Sequence, residues 1–131
     1  MKAPPHPTIL AVDDAKAVRQ LVAQAFAPFD CEVTEASNGF NAFYAIEAAR
    51  PHLIFLDVLM PVMEGHETLR RLKITPELAD IPVIMLASPA DRPMLPEFTE
   101  MGAVAWVMKP FKAADLVAAA GRVLKLGTRA R

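Results

Sequence analysis

Four charged side chains stand where buried strands would end. Asp13 and Asp14 follow the apolar run Thr8 to Val12, Asp57 follows Leu53 to Leu56, and Lys109 follows Ala103 to Met108. Short runs rich in Ile, Leu and Phe, such as the one inside LIFLDVLMPVMEG (Leu53 to Gly65), read as strands buried on both faces of a parallel sheet. If these strands are neighbours, three carboxylates and one ammonium meet at the carboxyl edge, where open α/β sheets bind ligands. Carboxylates ~5 Å apart at an effective dielectric of ~20 repel by roughly 3 kcal/mol per pair, several times what a helix cap returns. A divalent cation removes the conflict, and oxygen-only ligands with open positions suit Mg²⁺. Mg²⁺ also neutralises an incoming phosphoryl group, and Lys109 adds a point charge for one of its oxygens. The remaining oxygen of Asp57 is then an in-line nucleophile for aspartyl-phosphate chemistry.

The elements that must position these groups alternate. After the first strand, Val18, Leu21, Val22, Ala25 and Phe26 form one apolar helical face, with Lys16, Arg19, Gln20 and Gln24 opposite and Asp14 placed to cap. Cys31 to Ala36 reads as an edge strand carrying Glu32 and Glu35, and Ser37, Asn38 and Gly39 as a turn. A second helix follows, with Ala42, Ala45, Ile46 and Ala49 inward. Pro61 stops the central stretch, and Leu69 and Leu72 anchor a third helix ending at Pro76. Ile81 to Leu86 is a fourth strand. Pro93 and Pro96 restrict the next helix to one or two turns around Pro96 to Met101. Ala103 to Met108 is a fifth strand. A last helix from Ala113 turns Leu116, Ala119, Ala120 and Val123 inward, with Gly127 as its C-cap. Five strands alternating with five helices predict an α/β domain whose parallel sheet is covered on both sides.

The chain has 131 residues, enough for one domain with a core that needs neither disulfides nor structural metal. Residues 1–7 are expected to be a disordered arm, 8–127 the domain and 128–131 a tail. A formal net charge of -1 gives no basic field for nucleic acid. The only cysteine, Cys31, excludes an internal disulfide and reads as packing in a reducing cytosol. No apolar stretch reaches the ~20 residues of a membrane span, and the N-terminus lacks a secretory signal. The expected location is cytoplasmic.

The acidic pair Asp13 and Asp14, the stretch around Asp57 and the triplet Lys109-Pro110-Phe111 together make the chain resemble a receiver domain of two-component response regulators over nearly its whole length. The resemblance implies a flavodoxin-like doubly wound (βα)5 sheet in the order 2-1-3-4-5. It implies that Asp57 accepts a phosphoryl group from a phosphohistidine on a histidine kinase or phosphotransfer protein. Asp14, Asp57 and the backbone carbonyl of Leu59 would hold Mg²⁺, Asp13 would act mostly through water, and Lys109 would contact the phosphoryl group. The peptide before Pro110 is expected to be cis. Such a chain is a phosphoacceptor rather than an enzyme, signalling to a downstream protein or relaying the group onward.

Two departures from the family matter. The hydroxyl expected at the end of the fourth strand is replaced by Ala87, followed by Ser88. Either Ser88 substitutes through a shifted backbone or the hydroxyl-driven switch is weakened; the balance favours weakening. The aromatic switch position holds Trp106, bulkier than the usual Tyr or Phe. Leu59 and Pro89 occupy the positions that tune attack by water on the acyl phosphate, and neither can orient water, which predicts a long-lived phosphoryl group.

An alternative reading is a pseudo-receiver acting as a phosphorylation-independent adaptor, supported by Ala87. A Mg²⁺-dependent phosphohydrolase would need a carboxylate where Leu59 stands. His6, His52 and His66 lack metal-ligand spacing. Phe40, Phe43 and Tyr44 are expected to fill the boundary between the second helix and the sheet, or to form a partner patch. Val117, Gly121 and Leu124 on the outer side of the last helix suggest a partner or homodimer surface. Arg122, Lys125, Arg129 and Arg131 form a basic end too small for nucleic acid.

Overall fold

The computed structural model describes residues 6–60 and 63–128. The chain runs β1 (Thr8–Val12), α1 (Lys16–Phe26), β2 (Glu32–Ala36), α2 (Gly39–Ala48), β3 (Leu53–Asp57), α3 (Gly65–Ile74), β4 (Val83–Ala87), a 3-10 helix (Pro89–Met94), α4 (Leu95–Glu100), β5 (Ala105–Met108) and α5 (Ala113–Gly121). All strand pairs are parallel, in the order β2-β1-β3-β4-β5. This is the flavodoxin-like order expected.

Strand alternation divides the core into two layers. Leu10, Val12, Ile54, Leu56 and Met85 face one side, beneath α2, α3 and α4. Ile9, Ala11, Leu53, Phe55, Ile84 and Leu86 face the other, beneath α1 and α5. The alternation continues past the apolar residues: Ile9, Ala11, Asp13 and Leu53, Phe55, Asp57 are two parallel series on the second side. Hydrophobic burial of the strands therefore fixes the direction of two carboxylates.

Several boundaries differ from expectation. Asp14 does not cap α1; the N-cap is Ala15, whose N–H donates to Asp13 Oδ1 at 2.9 Å. β4 lies two residues later at its start and includes Ala87, and β5 starts at Ala105 rather than Ala103. The proline-rich segment holds more helix than expected. A 3-10 turn tolerates Pro89 and Pro93, and Pro96 falls at the start of α4, where a missing N–H costs little. The short α4 closes on Gly102 at φ 113, a left-handed conformation that favours glycine.

α5 ends at Gly121 with Arg122 as C-cap, so Gly127 does not close it. The carbonyl of Gly127 instead accepts the N–H of Asp30 at 2.7 Å, and Thr128 forms a bridge with Phe29. Val117 and Leu124 are half-buried against the second layer, with Gly121 exposed beside them. Ala49 is the exposed C-cap of α2 rather than part of its inner face. Of the α2 aromatics only Phe43 packs on the core; Phe40 and Tyr44 are exposed, with Arg71 6.0 Å from the Phe40 ring. Pro61, Arg129, Arg131 and residues 1–5 of the expected arm lie outside the described residues. His6, also assigned to that arm, is hydrogen-bonded to Asp30 Oδ1. Among the described residues no helix is long and apolar enough to cross a membrane.

Candidate functional site

The register places the ends of β1 and β3 side by side, Val12 opposite Leu56, and sets Asp57 opposite Leu86 on β4. Asp13, Asp14 and Asp57 each offer an oxygen, and these lie within 4.8 Å of one another. Asp13 and Asp57 are buried, whereas Asp14 is exposed. Lys109, delivered by β5 from across the β4 end, places Nζ 3.0 Å from Asp57 Oδ1 and 3.0 Å from Asp13 Oδ2. Its main-chain N–H donates to the Ala87 carbonyl, which docks the Lys109 backbone against β4. The Lys109–Pro110 peptide is cis, as expected.

Burial pushes the Asp57 carboxyl up to about 6; the Lys109 hydrogen bond opposes this and the charge of Asp13 adds to it. A backbone hydrogen bond from Leu59 also favours the ionised form. Burial works against the Lys109 ammonium, but its hydrogen bonds to Asp57 and Asp13 outweigh burial and raise its pKa. One ammonium thus serves two buried carboxylates, while Asp14 carries no hydrogen bond or ion pair among the described residues. An oxygen-only donor set with one exposed, uncompensated carboxylate fits a hard divalent cation such as Mg²⁺.

Gly65 approaches the end of β3 closely. Gly65 donates its N–H to the Val58 carbonyl, and a Cβ there would collide with the Asp57 carbonyl. Leu59 is 67% exposed, and it reaches Asp57 through its backbone. Ala87 is fully buried in the first layer and brings no hydroxyl to the edge. Ser88 follows it half-buried, its N–H donating to Asp91 Oδ2 at 2.8 Å. Trp106 is 47% exposed on β5, opposite Met85.

His66 bonds Glu97 Oε1 at 2.9 Å, joining α3 to α4, and His52 Nδ1 accepts the Thr8 N–H. The site also includes Arg19, which spacing alone places on the polar face of α1. It donates to the Asp13 carbonyl and to Glu35. Its only sequence signal is a cation one turn beyond an acidic pair.

The response regulator receiver domain family matches the chain over residues 9–121. The phosphate regulon transcriptional regulatory protein PhoB of Pseudomonas aeruginosa is 37% identical over 118 residues, covering 90% of this chain but 52% of that protein. The sporulation initiation phosphotransferase F of Bacillus subtilis is 33% identical, covering 90% of this chain and 94% of its own length. The chain thus spans about half of one relative and nearly all of the other. The structure of the chemotaxis response regulator CheY4 of Vibrio cholerae superposes with a TM-score of 0.83 at 32% identity, covering 91% of this chain and 99% of that one. With the strand order, the edge carboxylates and the match over residues 9–121 in agreement, the chain belongs to the response regulator receiver domain family.

Proposed function

We propose that Asp57 accepts a phosphoryl group from a phosphohistidine on a histidine kinase or phosphotransfer protein. The observation that carries this reading is the single ammonium of Lys109, 3.0 Å from Asp57 Oδ1, beside three clustered carboxylate oxygens. With Oδ1 engaged, Asp57 has its second oxygen for attack on phosphorus. The O–P bond forms as the P–N bond breaks, and the imidazole leaves with the bond's electron pair. Lys109 contacts the arriving phosphoryl oxygens, and its charge offsets the negative charge gathered there. Asp14 and Asp57, with the Leu59 carbonyl and with Asp13 acting mostly through water, would hold Mg²⁺, which when bound neutralises phosphoryl charge.

The domain in this reading runs from Thr8 to Gly127. It acts in the cytoplasm as a single-domain regulator whose output is a downstream protein or onward relay. Likeness to the sporulation phosphotransferase and to CheY4, both covered nearly whole, supports that form. Ala87 supports a weakened hydroxyl-driven switch, and Trp106 occupies the aromatic switch position. Neither Leu59 nor Pro89 carries a group that can orient water, which supports a long-lived phosphoryl group.

Incubation with acetyl phosphate and Mg²⁺ tests the reading: label is expected on the native chain and absent from Asp57→Asn. No Asp57-dependent label would leave the adaptor reading, for which the buried methyl of Ala87 is the specific support. Loss of label within seconds would sink the long lifetime.

A further inference from the structure

Arg19 reaches back from the first turn of α1 over the end of β1. Its Nη1 donates to the main-chain carbonyl of Asp13 at 2.7 Å, and its Nε donates to Glu35 Oε1 on β2 at 3.0 Å. The side chain is 15% exposed. The carbonyl it holds belongs to the peptide that joins Asp13 to Asp14.

The other polar atoms of Asp13 are also engaged. Its N–H donates to the Ala36 carbonyl at 3.1 Å, Oδ1 accepts the Ala15 N–H at 2.9 Å, and Oδ2 accepts Lys109 Nζ at 3.0 Å. Among the described residues Asp14 has no such tether, yet its carboxylate lies in the cluster with those of Asp13 and Asp57. With Asp13 fixed, the direction of the Asp14 side chain follows from the plane of the intervening peptide, and Arg19 fixes the oxygen of that plane.

We infer that Arg19 is a positioning residue for the cation site: by holding the Asp13–Asp14 peptide it presents the Asp14 carboxylate to the other two, and Glu35 holds the guanidinium in place. The inference rests on the Mg²⁺ reading above and assigns it an orienting partner outside the ligand set. A planar guanidinium can make both bonds at a fixed angle, which a lysine ammonium on its flexible stem does not reproduce. Partners that orient metal ligands typically change metal affinity by about 10–100-fold when removed.

Arg19→Lys keeps the positive charge, so a role as bulk charge alone predicts unchanged Mg²⁺ affinity, whereas a positioning role requires weaker binding. Mg²⁺ alone is titrated into the full chain and followed by amide chemical shifts, with urea midpoints recorded in parallel. Arg19→Lys is expected to weaken binding by about tenfold. Glu35→Gln is expected to weaken it less, and the double variant no more than Arg19→Lys alone. A folded Arg19→Lys protein with native or tighter Mg²⁺ affinity overturns the inference. Should Arg19→Lys fail to fold, unchanged affinity in Glu35→Gln overturns it. Absence of saturable, Asp57-dependent Mg²⁺ binding in the native chain overturns the cation reading itself, a result distinguishable from failure of Arg19 alone.

Discussion

The two sides of the sheet are filled with different materials. Under α1 and α5 the layer is aromatic: Phe26, Phe55 and Phe111 are buried, and the Phe26 ring lies 5.8 Å from Phe55 and 6.3 Å from Phe29. Under α2, α3 and α4 the layer holds Phe98 and the half-buried Phe43 but is rich in methionine, with Met60 and Met85 buried and Met94, Met101 and Met108 packed against it. Aromatic pairs have preferred geometries, whereas methionine fills irregular gaps and tolerates rearrangement. Asp13 and Asp57 continue the aromatic series, while Ala87 belongs to the methionine layer. The charged site is thus built on the geometrically specified side, and Ala87 lies on the adaptable side, next to the proline-broken helix.

The largest expected difference comes from placing leucine in each layer. Phe55→Leu forfeits ring contacts and leaves a void, costing about 2–3 kcal/mol in urea unfolding. Met85→Leu is a near volume-conserving change and should cost less than about 1.5 kcal/mol. Both residues are fully buried, so unequal exposure does not confound the pair. Equal costs would break the comparison.

The division was only partly legible in the sequence. Apolar runs ending on charge located the strands and the site, because burying Asp13 and Asp57 beside a half-buried Lys109 needs a chemical reason. The layers themselves depend on register, which decides whether Met85 or Leu86 faces α3. Gly127 has the right residue type for a cap, but α5 stops six residues earlier and its backbone pairs with Asp30 instead. Pro93 warned of broken helix without revealing that a 3-10 turn accommodates it. Arg19 gave little signal as part of the site because one partner is the main-chain carbonyl of Asp13, just past β1, and the other is Glu35 on β2.

A second effect tests how the aromatic side holds its charge. The folded Asp57 carboxyl titrates at about 6, above its unfolded value, so the folded chain binds this proton more tightly. Its contribution to stability is fully present below pH ~4 and is lost as pH rises through ~6. At neutral pH the ionised group is held at a cost, and Asp57→Asn should stabilise the Mg²⁺-free chain by on the order of 1–2 kcal/mol. The variant's stability should also be flatter between pH 4 and 6. An Asn variant less stable than the native chain at pH 7 would show that the Lys109 contact outweighs burial.

The methionine side offers a smaller test at Lys73. Burial lowers the pKa of its ammonium, against the charge of Asp80, and Nζ donates to the carbonyls of Ala79 and Ile81 at 2.9 and 3.0 Å. These bonds close the turn between α3 and β4. Lys73→Met should cost about 1 kcal/mol, because water can reach part of what the ammonium leaves behind. Faster amide exchange confined to residues 75–82 would place the loss in this turn; exchange spread through β3 would mean that the layer is less adaptable than its methionines suggest.

The smallest effect concerns the outside of the same layer. Glu67 accepts hydrogen bonds from Arg70 at 2.9 and 2.8 Å and from Arg71 at 2.7 Å, and these hold its carboxyl down at about 2. A depressed folded pKa stabilises above the unfolded value, near pH ~4.3, and the contribution disappears as pH falls through ~2. All three side chains are open to solvent, so screening keeps the benefit slight. Glu67→Gln should lower the urea midpoint marginally at pH 7, with the gap closing in acid and in high salt. A deficit rivalling that of Phe55→Leu would break the comparison from the other direction, because α3, which buries only Gly65, Thr68, Leu69 and Leu72, would then be held by its charged outer face rather than by the layer beneath it.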